Sequence, residues 1–130
     1  MGSEDNANLV RRGYAAFSTG DMATLNELFA DDAVWHVPGS GSLSGAKHGR
    51  DAILAFFGEL MARSGGTIKI TLHDVIGGDE HTVALHHEFA ESGGNRVDQN
   101  AANVFHVRDG RVSEVWELHD DPAANAWLWA

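Results

Sequence analysis

Four residues in the second half of the chain have the types and spacing for acid–base work: His86 with Glu88, then Glu117 with His119. Residues two apart on a strand project from the same face, so each pair can present an imidazole and a carboxylate to one ligand. A carboxylate takes a proton, a histidine gives or holds one near neutrality, and a positioned base is worth roughly 10²–10⁴ in rate. The same four would also make a two-histidine, two-carboxylate set for zinc or iron, although no short ligand motif accompanies them. Plainer alternatives stand beside them. Glu117 can be a solvated glutamate on the outer face of a strand, and His119 can hydrogen-bond the Asp120-Asp121 turn at a frayed strand end. His87 competes with His86, because Val83, Leu85, His87 and Phe89 form the more apolar row.

The chain that must position them has 130 residues, no Cys and a formal charge of −10. That length suits one domain, here 1–130, with one core. The lack of Cys removes disulfides, thiolate nucleophiles and Cys-based metal sites. The acidic excess repels phosphate backbones and anionic lipid, so neither nucleic acid nor membrane is an expected partner, and solubility is its plain purpose. No apolar run would span a bilayer, and the first residues lack the basic start and apolar stretch of a secretory leader, so a cytoplasmic location is expected. No cofactor is implied. Gly77-Gly78 and Gly93-Gly94 sit between strands, not between a strand and a helix where glycines cradle phosphate.

Helices come first. Leu9, Val10, Gly13, Tyr14 and Phe17 recur at helical spacing up to Gly20, and Asp21 caps a second helix expected to stop near Asp31-Asp32. Ala33 to Val37 reads as a short strand, Gly39 to Gly49 as a mobile rim loop, and Arg50 to Arg63 as a buried third helix. Strands follow over Thr67 to Ile76, His81 to Glu91, Arg96 to Val107 and Arg111 to His119. The apolar Trp127-Leu128-Trp129 stretch must be covered by the pocket, the outer sheet or a second subunit.

Strand register decides which side chains meet. Asp109-Gly110 is a strong hairpin signal. As a two-residue loop it pairs Arg108 with Arg111, and hence Val104 with Val115, Ala102 with Glu117 and Asn100 with His119, all on one face. That face puts Glu117 among apolar walls that would make it a better base near neutrality. A three-residue loop within Ser92 to Asn95 sets His86 across from Ala102, whereas a two- or four-residue loop makes His87 the inward residue. Trp35 and His36 alternate, so one lines the interior and the other does not.

The landmarks Phe17-Ser18-Thr19-Gly20-Asp21, Asp31-Asp32-Ala33-Val34-Trp35-His36-Val37-Pro38-Gly39, Gly49-Arg50-Asp51-Ala52-Ile53 and Arg108-Asp109-Gly110-Arg111-Val112-Ser113-Glu114-Val115-Trp116-Glu117 span most of the chain. Together they resemble the nuclear transport factor two-like superfamily, in particular its SnoaL-like polyketide cyclase branch. The resemblance implies an α+β, cystatin-like, cone-shaped domain: a strongly curved mixed or antiparallel sheet wrapped around three helices from the N-terminal half, enclosing one pocket. Because this scaffold hosts many functions, function must come from the pocket.

Similarity to ketosteroid isomerases would put their general-base Asp on Val37, their oxyanion Tyr on Gly13 and their oxyanion Asp on Ala102. That chemistry is not expected unless Tyr14, one position on, and another carboxylate substitute. Similarity to limonene epoxide hydrolases puts the water-activating Asp on Glu117, its Asn partner near His36, and an Arg and a second Asp near Ala84 and His86. SnoaL-like cyclases carry a pocket acid after the Trp of the last strand, again Glu117 after Trp116.

The resemblance therefore implies Glu117 as general base, with His86 at the pocket and His36 turned inward, and strand geometry adds His119 on the face of Glu117; these histidines are expected to orient substrate, a water or a developing oxyanion. Trp35, Tyr14, Asn100, Ala102, Val104 and Val115 complete the expected lining, with neither cofactor nor metal. The expected ligand is small and apolar, polyketide-, terpene- or aromatic-like, and the expected reaction is of the cyclase, isomerase or hydrolase type. A non-catalytic ligand-binding module and a His/Glu metal site are the alternatives. Trp116 and Leu118, opposite to Glu117, are expected to form a homodimer through the outer sheet face.

Overall fold

The computed structural model describes residues 2–130. Helix α1, Ser3–Thr19, turns Val10, Tyr14 and Phe17 toward the core. Gly20 ends it at φ 70°, a left-handed conformation that favours glycine. Asp21 then caps α2, Met22–Leu28, by accepting the Thr24 backbone N–H at 3.1 Å. This helix stops short of Asp31-Asp32. Phe29 is already extended, pairs with Val112 and buries its ring against Trp35 and Phe57, so it opens strand β1, Phe29–Val37.

The stretch expected as a mobile rim instead carries β2, Gly45–His48, antiparallel to β1. Helix α3, Arg50–Arg63, follows and buries Ile53, Phe56, Phe57 and Leu60. Strands β3, Lys69–Gly77, β4, His81–Ser92, β5, Asn95–Arg108, and β6, Arg111–His119, form the meander. All six strands make one sheet in the order β2-β1-β6-β5-β4-β3, antiparallel throughout except for the parallel β1–β6 pair. The sheet curves around the three helices, which is the α+β, cystatin-like architecture implied by the residues. No helix among the described residues is long and apolar enough to cross a membrane.

Two features set the register. Ser92 pairs with Asn95 around a two-residue Gly93-Gly94 loop, which places His86 across from Ala101. Asp109-Gly110 is also a two-residue loop, both residues at positive φ as a type I′ turn requires, and Arg108 pairs with Arg111 as expected. Beyond it the pairing slips. Val107 pairs with Val112 but His106 pairs with Glu114, so Ser113 is an extra residue, a bulge whose hydroxyl donates to the His106 carbonyl at 3.0 Å.

One added residue exchanges the faces of everything beyond it. Phe105, not Val104, lies across from Val115; Asn103, not Ala102, lies across from Glu117; Ala101, not Asn100, lies across from His119.

A short 3₁₀ turn, Pro122–Asn125, capped by the Asp121 carboxylate, leads into α4, Ala126–Trp129. The apolar tail packs on the core of its own chain, with Trp127 left half-buried. Leu128 and Trp129 are buried, and the Trp129 carbonyl accepts the Leu43 N–H at 2.9 Å. Gly41 makes room for this contact, since a Cβ there would lie 2.2 Å from the Trp129 carbonyl oxygen.

Candidate active site

The helices and the inner face of the sheet enclose a cavity of about 80 Å³. Much of its wall is aromatic: Tyr14 and Phe17 of α1, Phe29 and Trp35 of β1, Phe56 and Phe57 of α3, and Phe105 of β5. Five polar residues interrupt that wall: His86, Glu88, Asn103, Glu117 and His119. They fall into two groups.

The first group is a carboxylate–imidazole–carboxylate row. Glu117 and His119 share the inner face of β6, and His119 Nε2–H donates to Glu117 Oε2 at 2.6 Å, with the two side chains 9% and 1% exposed. The other Glu117 oxygen accepts the Trp35 indole N–H at 2.8 Å. On the far side of the imidazole, Nδ1 lies 3.3 Å from Glu88 Oε2 without hydrogen-bond alignment, so that contact is electrostatic. Burial opposes a charge on His119, but the Glu117 hydrogen bond and the attraction of Glu117 and Glu88 prevail and lift its pKa to about 9. Burial likewise opposes a charge on Glu88, yet His119 and the Asn125 amide hold its pKa below the usual carboxylate value. The row therefore holds a protonated imidazole between two acidic side chains.

The second group stays neutral. Asn103 Nδ2 donates to the Tyr14 hydroxyl oxygen at 3.0 Å, and the Tyr14 hydroxyl lies 2.8 Å from His86 Nδ1. With its oxygen accepting from Asn103, Tyr14 is free to donate to Nδ1, which makes His86 the Nε2–H tautomer. Burial pushes the Tyr14 phenol well above its ordinary range and pushes His86 down to about 4. Neither ionises near neutrality. Asn103 Oδ1 is buried without a hydrogen-bond partner, an acceptor left open.

The structure thus brings Glu117, His119, His86, Tyr14 and Trp35 to one cavity. His86 faces inward because two departures cancel: the two-residue Gly93-Gly94 loop alone would turn His87 inward, and the Ser113 bulge reverses the choice. His87 lies outside, bonded to Asp98 and Asn100.

Five lining expectations are corrected. His36 points outward because Trp35 takes the inner side of β1; it stacks on Trp116 at 5.7 Å and contacts Glu114 at 2.5 Å. Asn100, Ala102 and Val104 lie on the outer face with Leu118 and Trp116, turned there by the bulge. Asn100 and Ala102 line a second pocket, of about 570 Å³, which shares His86 and His119 with the cavity. Val115 is inside but wholly buried in the core, away from the cavity wall.

Asn103 was not singled out by sequence reasoning, and neither were Asn125 and Gln99 behind the site. Nothing in Val112-Ser113-Glu114 marks a bulge, so the parity that exposes Asn103 to the cavity leaves no signal. His86, Glu88, Glu117 and His119 do meet, yet no cluster among the described residues has an arrangement that could hold a metal ion.

Residues 10–115 match the SnoaL-like domain family. The chain belongs to the SnoaL-like family. An uncharacterized protein of Mycobacterium tuberculosis, Rv0034, is 37% identical over the whole length of both chains. Bal32a, from a soil-derived mobile gene cassette, superposes with a TM-score of 0.94 at 43% identity over 98% of each chain. IdmH, a putative polyketide cyclase from Streptomyces antibioticus, superposes at 0.73 with 26% identity over 95% of this chain and 97% of its own. This SnoaL-like chain therefore shares its scaffold with relatives of unstated function and with one to which a cyclase activity is ascribed.

Proposed function

We propose that this SnoaL-like protein is an enzyme that performs general acid–base chemistry on a small neutral molecule, with Glu117 as the base. The observation that carries this reading is the buried Glu117–His119 contact of 2.6 Å at the wall of an aromatic cavity. A module that merely holds an apolar ligand gains nothing from burying two carboxylates and an imidazole, because such groups are costly away from water.

The two polar groups divide the work. Glu117 takes a proton from the substrate and returns it at the end of the cycle, while the charged His119, hydrogen-bonded to it, stabilises the carboxylate. Tyr14, His86 and Asn103 cannot ionise near neutrality, so they orient the substrate and polarise an oxygen on it. Proton removal beside a carbonyl, as in a cyclase or isomerase, fits this division most closely. Attack by a water held at Glu117 uses the same groups.

The walls also constrain the substrate. Two carboxylates against one imidazolium leave the cavity net negative, which disfavours carboxylate-bearing ligands. A volume of about 80 Å³ is below the ~150 Å³ that admits benzene to an engineered apolar core. The substrate is small, or its entry displaces aromatic side chains.

The test uses a panel of single-ring ketones and hydroxyaryl ketones in D₂O, with α-proton exchange followed by NMR. The wild-type protein should accelerate exchange of at least one compound, and Glu117→Gln should lose roughly 10²–10⁴ of that acceleration while staying folded. Undiminished exchange in the variant, or no exchange anywhere in the panel, counts against the reading.

A further inference from the structure

The segment 121–130 does more than cover apolar surface. Within it, Asn125 is fully buried beside Ala123, Ala124 and Ala126, and a buried amide in such company is costly unless it is bonded. Its Nδ2 donates to Glu88 Oε2 at 3.0 Å, the same oxygen that lies 3.3 Å from His119 Nδ1. Its Oδ1 accepts from Gln99 Nε2. Gln99 is in turn fastened to the backbone of Asp121, donating to its carbonyl at 3.0 Å and accepting its N–H at 2.7 Å. A continuous path therefore runs from the start of the closing segment through Gln99, Asn125 and Glu88 to His119 and Glu117.

We propose that Asn125 is a positioning residue: it holds the Glu88 carboxylate against His119 and makes the closing segment part of the acid–base cluster. Closing the cone does not itself require this amide. Leu128 and Trp129 fill the end of the core, and Trp129 packs edge-on against the His119 ring at 5.2 Å. What the amide supplies is a donor to a buried carboxylate that otherwise has only the imidazole beside it. Without that donor Glu88 takes up a proton more readily, and His119 loses one of its two anionic neighbours. The titratable groups around His119 are Glu117 on its own strand and Glu88 and His86 on β4, while α4 presents only the indole of Trp129. Glu88 is therefore the group through which Asn125 acts.

The catalytic consequence depends on the function proposed above, whereas the positioning itself is read from titration alone. Uniformly ¹⁵N-labelled protein reports the His119 ring through long-range proton–nitrogen correlations across a pH series. In Asn125→Leu the His119 midpoint should fall by about one pH unit, a tenfold weaker hold on the proton. Gln99→Met, which frees the Asn125 amide without removing it, should cause a smaller fall in the same direction. In a Glu88→Gln background, adding Asn125→Leu should shift the midpoint no further. An unmoved midpoint in folded Asn125→Leu overturns the proposal, and so does an equal fall with and without Glu88. If Asn125→Leu does not fold, an unmoved midpoint in Gln99→Met overturns it.

Discussion

Asn103 of β5 lies directly across from Glu117 of β6, and the extra residue Ser113 is what brings them together. The pairing sets an open amide oxygen beside the proposed base, on one wall of one cavity. A ligand hydroxyl or a water donating to Asn103 Oδ1 would stand next to the Glu117 carboxylate. The arrangement depends on strand parity rather than on any unusual residue.

The bulge should accordingly be sensitive in two graded ways. Ser113→Ala removes the hydroxyl that bonds the His106 carbonyl and should cost about 0.5–1.5 kcal/mol in denaturant unfolding. Deleting Ser113 should be far worse, since it turns Glu117 and His119 toward the outer face or breaks the pairing with β1. A deletion variant with wild-type stability and an unchanged His119 titration would contradict this account of the register.

Trp35 connects the aromatic wall to the base. Trp35→Phe keeps a ring among Phe29, Phe56, Phe57 and Phe105 but removes the donor to Glu117 Oε1. The expected loss is about 1–3 kcal/mol of stability, because a buried carboxylate oxygen is left without its partner. An unfolding free energy within a few tenths of wild type would show that this hydrogen bond contributes little.

Two histidines make stability depend on pH in opposite senses. His119, with a folded pKa of about 9 against an ordinary 6.5, stabilises the fold fully below 6.5, and that contribution is lost as pH rises through 9. His86, at about 4, favours the fold above 6.5, and that advantage is lost as pH falls toward 4. Thermal unfolding should therefore show a maximum near pH 6.5. In His119→Gln the alkaline decline should flatten while the acid decline remains.

The loop at Gly41 tests how the closing segment docks. A Cβ there meets the Trp129 backbone, so Gly41→Ala should destabilise the protein by about 1–3 kcal/mol, as overpacking generally does. It should also expose Trp129, read as a red shift of tryptophan fluorescence. Unchanged emission and stability would mean that the segment seats differently.

The order of elements was legible because helical and strand periodicities are long and cleanly separated in this chain. Glu117 and His119 stand out because two-residue spacing and family resemblance coincide on one strand. Asn103 is hidden because a bulge needs no glycine or proline to announce it, and one unannounced residue inverts a whole strand. His36 was misplaced for a different reason. Both residues of Trp35-His36 can line a cavity, and the larger aromatic wins the inner position because burying it yields more. Asn125 is a single polar residue in an alanine-rich stretch, and its partners Glu88 and Gln99 are distant in the chain.

The central relationship is the pairing of a charged His119 with the Glu117 carboxyl group inside the cavity. Titration of the His119 ring nitrogens by ¹⁵N NMR, in wild type and in Glu117→Gln, measures that pair without knowledge of the substrate. The wild-type midpoint should lie near 9 and fall in Glu117→Gln. A wild-type midpoint near the ordinary 6.5, or one indifferent to Glu117→Gln, would contradict that pairing.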